Sequence, residues 1–179
     1  MGAAILVSNH ISGLDPLMIQ SVTRRLVIWM TAKEYYEIRG INFVFRAIMA
    51  IPVERSGRDM AAMRAAMRAL QEGRILGVFP EGKIENSHAL MTFQPGVALM
   101  AIKANVPVYP AYIEGTMRGS EMINAFRKRH HAALRFGPPV EFDRSSTSRE
   151  TLDAATAKIV AAVAELKVRQ DQRGLIDLP

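Results

Sequence analysis

Cysteine is absent from this 179-residue chain. Its absence removes disulfides, thiolate metal sites and a cysteine nucleophile together, and leaves the redox compartment undetermined. Any chemistry must run on His, Ser, Thr or carboxylates. Long apolar stretches are missing as well. Hydrophobic residues make up 49% of the sequence, yet no run approaches the roughly 20 residues that span a bilayer, so the chain is expected to touch a membrane without crossing it. Repeats, linkers and low-complexity tracts are missing, and one domain over 1–179 is the expectation for this length. The start has no basic n-region, and Leu6 stands where a myristoylation signal needs Ser or Thr, so neither a signal peptide nor a lipid anchor is supported. Acidic residues are the scarcer charge, 17 against 23 basic ones, which leaves +6. That balance favours an anionic partner: a phospholipid surface, a phosphorylated metabolite or nucleic acid. Nucleic acid ranks last, because the chain has no recognised binding motif and no patterned aromatics. Nothing in the sequence sets the oligomeric state.

Short runs rich in Val and Ile occupy 3–8, 25–30, 50–54, 74–79, 107–113 and 132–137. Runs that are apolar throughout suit strands buried on both faces, so the pattern predicts an α/β fold with a mixed, mostly parallel sheet covered by helices. The clearest helix is 57–73, where Met60, Met63, Met67 and Leu70 recur every three or four residues and Gly73 follows as a stop. The Met stripe is read as core, with a soft acyl-binding wall as the alternative. A last helix over 148–169 sets Leu152, Ala155, Ile159, Val163 and Leu166 along one face as a cover for the sheet. The apolar segment 41–51, INFVFRAIMAI, divides between a buried helix and a lining for an acyl channel or lipid interface. Residues 115–131 mix Gly, polar residues and the basic cluster Arg127 to His131; a solvated loop with a short helix is expected there, with contact to anionic headgroups as the alternative.

Three loops carry candidate chemistry. NHISGLD, 9–15, follows the first apolar run and precedes Pro16, so it lies at a strand's carboxyl end, where open α/β sheets place their sites. Asp15 before Pro16 reads as an N-cap. Gly13 would also let the loop fold back, so that Asp15 accepts a hydrogen bond from one imidazole nitrogen of His10 and leaves the other as a base. FPEGKIENS, 79–87, makes a Pro-Glu-Gly turn after another strand, and IPVERSG, 51–57, carries Arg55 past a third. The bland reading of Glu81, Lys83 and Arg55 is that all three are solvated.

Taken in order, NHISGLD, IPVERSG, FPEGK and VPVYPAYI resemble the four sequence blocks of the glycerolipid acyltransferases, the group that includes 1-acylglycerol-3-phosphate acyltransferase. The likeness covers roughly residues 5–140. It implies that His10 is the general base and Asp15 its orienting partner, and that Arg55, Glu81 and Gly82 help bind the acceptor's glycerol phosphate. Val106, Pro107 and Pro110 match the fourth block, which is mainly structural. The implied reaction moves a fatty acyl group from acyl-CoA or acyl carrier protein to a lysophospholipid hydroxyl, most readily 1-acylglycerol-3-phosphate, and gives phosphatidic acid. It needs no resident cofactor and no metal. Backbone amides near the 81–83 turn are the expected oxyanion donors. The place of action is the cytoplasmic face of a membrane, held peripherally.

The sequence departs from the family's pattern at the third block. Where many members read Phe-Pro-Glu-Gly-Thr-Arg-Ser, Lys83 and Ile84 follow Gly82 here, so a point charge replaces a planar fork one place earlier. Only eight residues precede Asn9, so a compact variant or a piece without its anchor is expected. Two rival readings follow from other classes. One is a non-catalytic lipid- or acyl-carrier-binding module on the same scaffold. The other is a metal-dependent hydrolase using His10, Asp15 and Glu81, against which His88, His130 and His131 show no ligand spacing.

Overall fold

The computed structural model describes residues 2–38, 40, 42–54, 59–82, 93–116 and 132–168. Strand β1 (Ala4–Ser8) leads into helix α1 (Asp15–Val22) and strand β2 (Val27–Ala32). Two short helices, α2 (Lys33–Tyr36) and α3 (Asn42–Ala47), precede β3 (Ile51–Val53), which is followed by α4 (Met60–Gln71) and β4 (Ile75–Val78). Helix α5 (Gly96–Ala104), strands β5 (Val108–Glu114) and β6 (Ala133–Phe136) and helix α6 (Arg149–Val168) complete the described elements.

The six apolar runs are the six strands, in the order β3-β2-β4-β1-β5-β6. Every pairing is parallel except β5 with β6. β1 and β4 are buried along their whole length, as the absence of polar alternation requires when helices cover both sides. One face sends Ile5, Val7, Leu76, Val78 and Val108 into a core shared with α4, α5 and α6. The other sends Leu6, Val27, Trp29 and Ile75 against Ile19 of α1. Helix α6 covers the first face with Ala155, Ile159, Val163 and Leu166, all buried, as the sequence pattern predicts.

One expectation is corrected, and one of two alternatives is set aside. The buried line of α4 is Ala62, Ala66, Ala69 and Leu70, while Met60 is 59% exposed and Met63 and Met67 pack only partly against the core. Alanine rows let α4 lie close to the sheet, and the longer methionines fall to the flanks. The 41–51 segment does not form a buried helix: α3 buries none of its residues, and Phe43 is 65% exposed with Val44 and Met49 also open. Among the described residues no helix is long and apolar enough to cross a membrane.

Ile159 is 1% exposed in the middle of the cover formed by α6. Ile159→Ala is expected to lower stability by about 2–5 kcal/mol through lost burial and the cavity left behind, as read from the midpoint of urea denaturation.

Candidate active site

The first loop is built around one carboxylate. Asp15 is fully buried, and its Oδ2 accepts from the backbone N–H groups of Ile11 at 2.7 Å and Ser12 at 2.8 Å. The same oxygen lies 3.1 Å from Nδ1 of His10, and Oδ1 accepts from the hydroxyl of Thr116 at 2.9 Å. A buried carboxylate requires such donors, because unpaired it would carry a large desolvation penalty. This differs from the expected helix cap. Leu14 is the N-cap residue of α1, and Asp15 turns back onto the loop instead of forward onto helix amides. Gly13 has no positive φ; it lines a cavity beside His10, so the missing side chain keeps that space open.

An acceptor-only carboxylate oxygen obliges Nδ1 of His10 to carry the proton, which leaves Nε2 with a lone pair. The imidazole also stacks on Phe79, with ring centroids 4.0 Å apart and planes at 14°. Asn9, just ahead of it, is buried and acts as a side-chain extension of the sheet. Its amide nitrogen donates to the Ile113 carbonyl at 2.9 Å, and its amide oxygen accepts from the Ile113 N–H at 2.8 Å. β1 stops pairing by backbone at Ser8 with Ala111, and Asn9 carries the connection to β5 one step further. Thr116 and the clamp role of Asn9 escape sequence reasoning. Thr116 lies 101 residues from Asp15 and no motif marks it.

The cavity beside His10 measures about 290 Å³ and runs along the carboxyl ends of β2 and β4. Trp29, Phe45, Val53, Met63, Val97 and Met100 are among its walls. This is an apolar chamber with one imidazole in its lining, a chemistry suited to a hydrocarbon chain with a reactive carbon at one end. Met63 of the methionine stripe lines it.

The third block folds as the turn after β4. Gly82 has φ 71°, a region that favours glycine, and it lines the cavity. Its N–H donates to the Phe79 carbonyl at 3.0 Å, so this amide serves the turn and is not available as an oxyanion donor. Glu81 is buried, in contrast to the solvated reading. Lys83 and Arg55 lie outside the described residues, as do Ser56, Gly57, Ile84, His88 and the basic cluster up to His131. Asp59 stands after the second block. It caps α4 by accepting from the Ala62 N–H, and its other oxygen accepts from the Glu54 N–H, each at 2.8 Å. These hydrogen bonds, that from Ala62 first, hold its carboxyl below the usual range. Their contribution to stability is therefore present above the unfolded-state value and is lost as the pH falls through the folded one. Among the described residues no three His, Asp or Glu side chains are grouped to hold a metal ion.

A model of the acyltransferase family matches residues 1–114. The chain belongs to the acyltransferase family. It is 27% identical over 146 residues to the 1-acyl-sn-glycerol-3-phosphate acyltransferase of Bacillus subtilis, a match covering 80% of this chain and 70% of that protein. It is 30% identical over 167 residues to the N-acylphosphatidylethanolamine synthase of Arabidopsis thaliana, covering 78% and 56%. The Borreliella burgdorferi 1-acyl-sn-glycerol-3-phosphate acyltransferase is 29% identical over 114 residues, covering 63% and 46%. The chain thus spans about half to seven-tenths of the length of these curated relatives. In fold it is similar to the 1-acyl-sn-glycerophosphate acyltransferase of Thermotoga maritima, with a TM-score of 0.66 at 24% identity over 96% of this chain and 69% of that one. These names are those of glycerolipid acyltransferases.

In this acyltransferase the Thr116 hydroxyl is a single atom on which one oxygen of Asp15 relies. Thr116→Val is expected to lower stability by about 1.5–3 kcal/mol, as for a hydrogen bond to a charged group, and Thr116→Ser to keep most of it. Urea denaturation of the two variants beside the parent measures the difference.

Proposed function

We propose that the protein moves a fatty acyl group from acyl-CoA or acyl carrier protein to the hydroxyl of 1-acylglycerol-3-phosphate and so forms phosphatidic acid. The observation that carries this reading is the His10 imidazole, tied to Asp15 through Nδ1 at 3.1 Å, in the wall of a predominantly apolar cavity. Neutral His10 takes the acceptor's hydroxyl proton on Nε2 as that oxygen attacks the thioester carbonyl. A C–O bond forms, the C–S bond breaks, and the departing thiolate receives the proton back from the imidazolium. The acceptor is itself the nucleophile, so no covalent acyl-enzyme and no resident cofactor enter the scheme. Asp15 holds the tautomer and faces the transient positive charge. Arg55 and Lys83 supply cations for the acceptor's phosphate.

The acyl chain occupies the chamber walled by Trp29, Phe45, Met63 and Met100. The same stretch that contributes Tyr35 and Phe45 to the cavity exposes Phe43, Val44 and Met49, so α3 rests in the lipid interface with the cavity beside it. Contact is peripheral, on the cytoplasmic face, where anionic lipids meet a chain of charge +6.

A second acceptor has its own support. The relative at 30% identity is named for N-acylation of phosphatidylethanolamine, and the lysine at position 83 departs from the arginine pattern of phosphate binders. Purified protein given acyl-CoA or acyl carrier protein with 1-acylglycerol-3-phosphate or phosphatidylethanolamine is expected to form phosphatidic acid. Formation of the N-acyl product alone reassigns the acceptor, and no product from any pair supports the binding-module reading.

His10→Ala is expected to abolish transfer with an unchanged circular dichroism spectrum; near-normal turnover would end the base assignment. Arg55→Ala is expected to raise the acceptor's KM most, and an unaffected acceptor KM removes Arg55 from the phosphate site. Phe43→Ser with Val44→Ser is expected to weaken flotation with vesicles of anionic phospholipid. Unchanged flotation would place the membrane contact elsewhere.

A further inference from the structure

The hydrogen bond to Asp15 fixes His10 at one atom, Nδ1, and a ring held at one atom can still tilt. A flat contact against its face removes that freedom. Phe79 provides one, with centroids 4.0 Å apart and planes at 14°. Phe79 in turn stacks on Trp29 at 4.6 Å and 10°, so three rings lie nearly parallel. Trp29 rests across the neighbouring strand at Gly77, its parallel register partner. A Cβ placed on Gly77 would stand 2.5 Å from Cε3 of the indole and 2.7 Å from Cδ2 and Cζ3. Gly77 has no positive φ, so backbone freedom does not account for glycine here; the space above it does. The residue lies at the centre of a fully buried strand, where glycine is otherwise a weak choice.

We propose that Gly77, Trp29 and Phe79 form a positioning column that sets the plane of the His10 imidazole, and with it the aim of Nε2. The proposal rests on the reading of His10 as the general base. Gly77 seats the indole flat on β4, the indole supports the phenyl ring, and the phenyl ring stops the imidazole from tilting. The column runs across β2 and β4 to the loop after β1, so it meets the imidazole on its face while Asp15 holds it at Nδ1. Trp29 and Phe79 also line that cavity, and a plain substrate wall would act on KM instead of kcat.

The test uses the full chain with acyl-CoA and 1-acylglycerol-3-phosphate. Phe79→Leu keeps an apolar side chain but removes the flat face; it is expected to lower kcat about 10- to 100-fold, the scale of misplacing a catalytic group by about 1 Å, with both KM values little changed. Phe79→Tyr keeps the face and is expected to retain most of kcat. Gly77→Ala is expected to lower kcat through the indole, and adding Trp29→Phe, a smaller ring, to restore part of it, a non-additivity that marks coupled residues. NMR of histidine-labelled protein is expected to show His10 ring protons shifted upfield by the phenyl ring, with that shift lost in Phe79→Leu. Wild-type kcat in Phe79→Leu, a raised KM at intact kcat, or no ring-current shift in the parent protein would each overturn the column. The Phe79 pair decides the matter even where Gly77→Ala does not fold. His10→Ala separates the two levels: turnover retained there removes the base reading, whereas loss there beside full activity in Phe79→Leu removes the column alone.

Discussion

One buried carboxylate organises the site. Asp15 is out of contact with water, so each of its oxygens must find donors within the protein. Those donors come from the carboxyl ends of two neighbouring strands: Ile11, Ser12 and His10 from the loop after β1, and Thr116 from just past β5. Asn9 adds a second tie between the same places through Ile113. The imidazole therefore cannot leave its position without stripping a partner from a buried charge. The parallel pairing of β1 with β5 becomes a condition on where the imidazole stands.

The cavity imposes the complementary constraint. Its walls are almost wholly hydrocarbon and aromatic, and an apolar space of that kind rejects phosphate as firmly as it accepts an acyl chain. The two ends of the reaction are thereby separated. In the proposed reaction a fatty chain enters the chamber beside His10 and a charged headgroup stays outside it. Acyl transfer needs that division, because the reacting carbonyl joins an oily tail to a polar carrier and must sit at the boundary between them.

Much of this was readable before the coordinates, for identifiable reasons. The six strands are visible because strands covered on both faces leave unbroken apolar runs, and α6 is visible because its one buried face repeats at helical spacing. Helix α5 leaves no mark in the sequence, since Gly96–Ala104 is apolar nearly all round and offers no periodic contrast. The methionines of α4 are a poor guide to depth, because the row that approaches the sheet is alanine. The pairing of His10 with Asp15 was legible from spacing, but the form it takes was not. The helix-cap reading of Asp15 fails and the fold-back reading holds, but its oxygens also serve two loop amides and a threonine 101 residues away. No local pattern can announce a partner at that separation. The seat of Trp29 on Gly77 is of the same kind, a relation between two strands that pairing creates and neither strand shows alone.

On the proposed function, the exposure of α3 fits the energetics of the substrate. Moving an acyl chain through water exposes each methylene at about 0.8 kcal/mol, so a site that drew its chains from bulk solvent would oppose itself more strongly as the chain lengthened. Phe43 and Val44 are open to solvent in a helix whose next residue, Phe45, already lines the cavity. With the exposed side of that helix laid in a lipid interface, a chain passes from one apolar medium to another by crossing a single turn of helix. The surface that looks unfinished in isolation is then continuous with the chamber behind it, and exposed aromatic area that would favour aggregation in water becomes the entrance to the site.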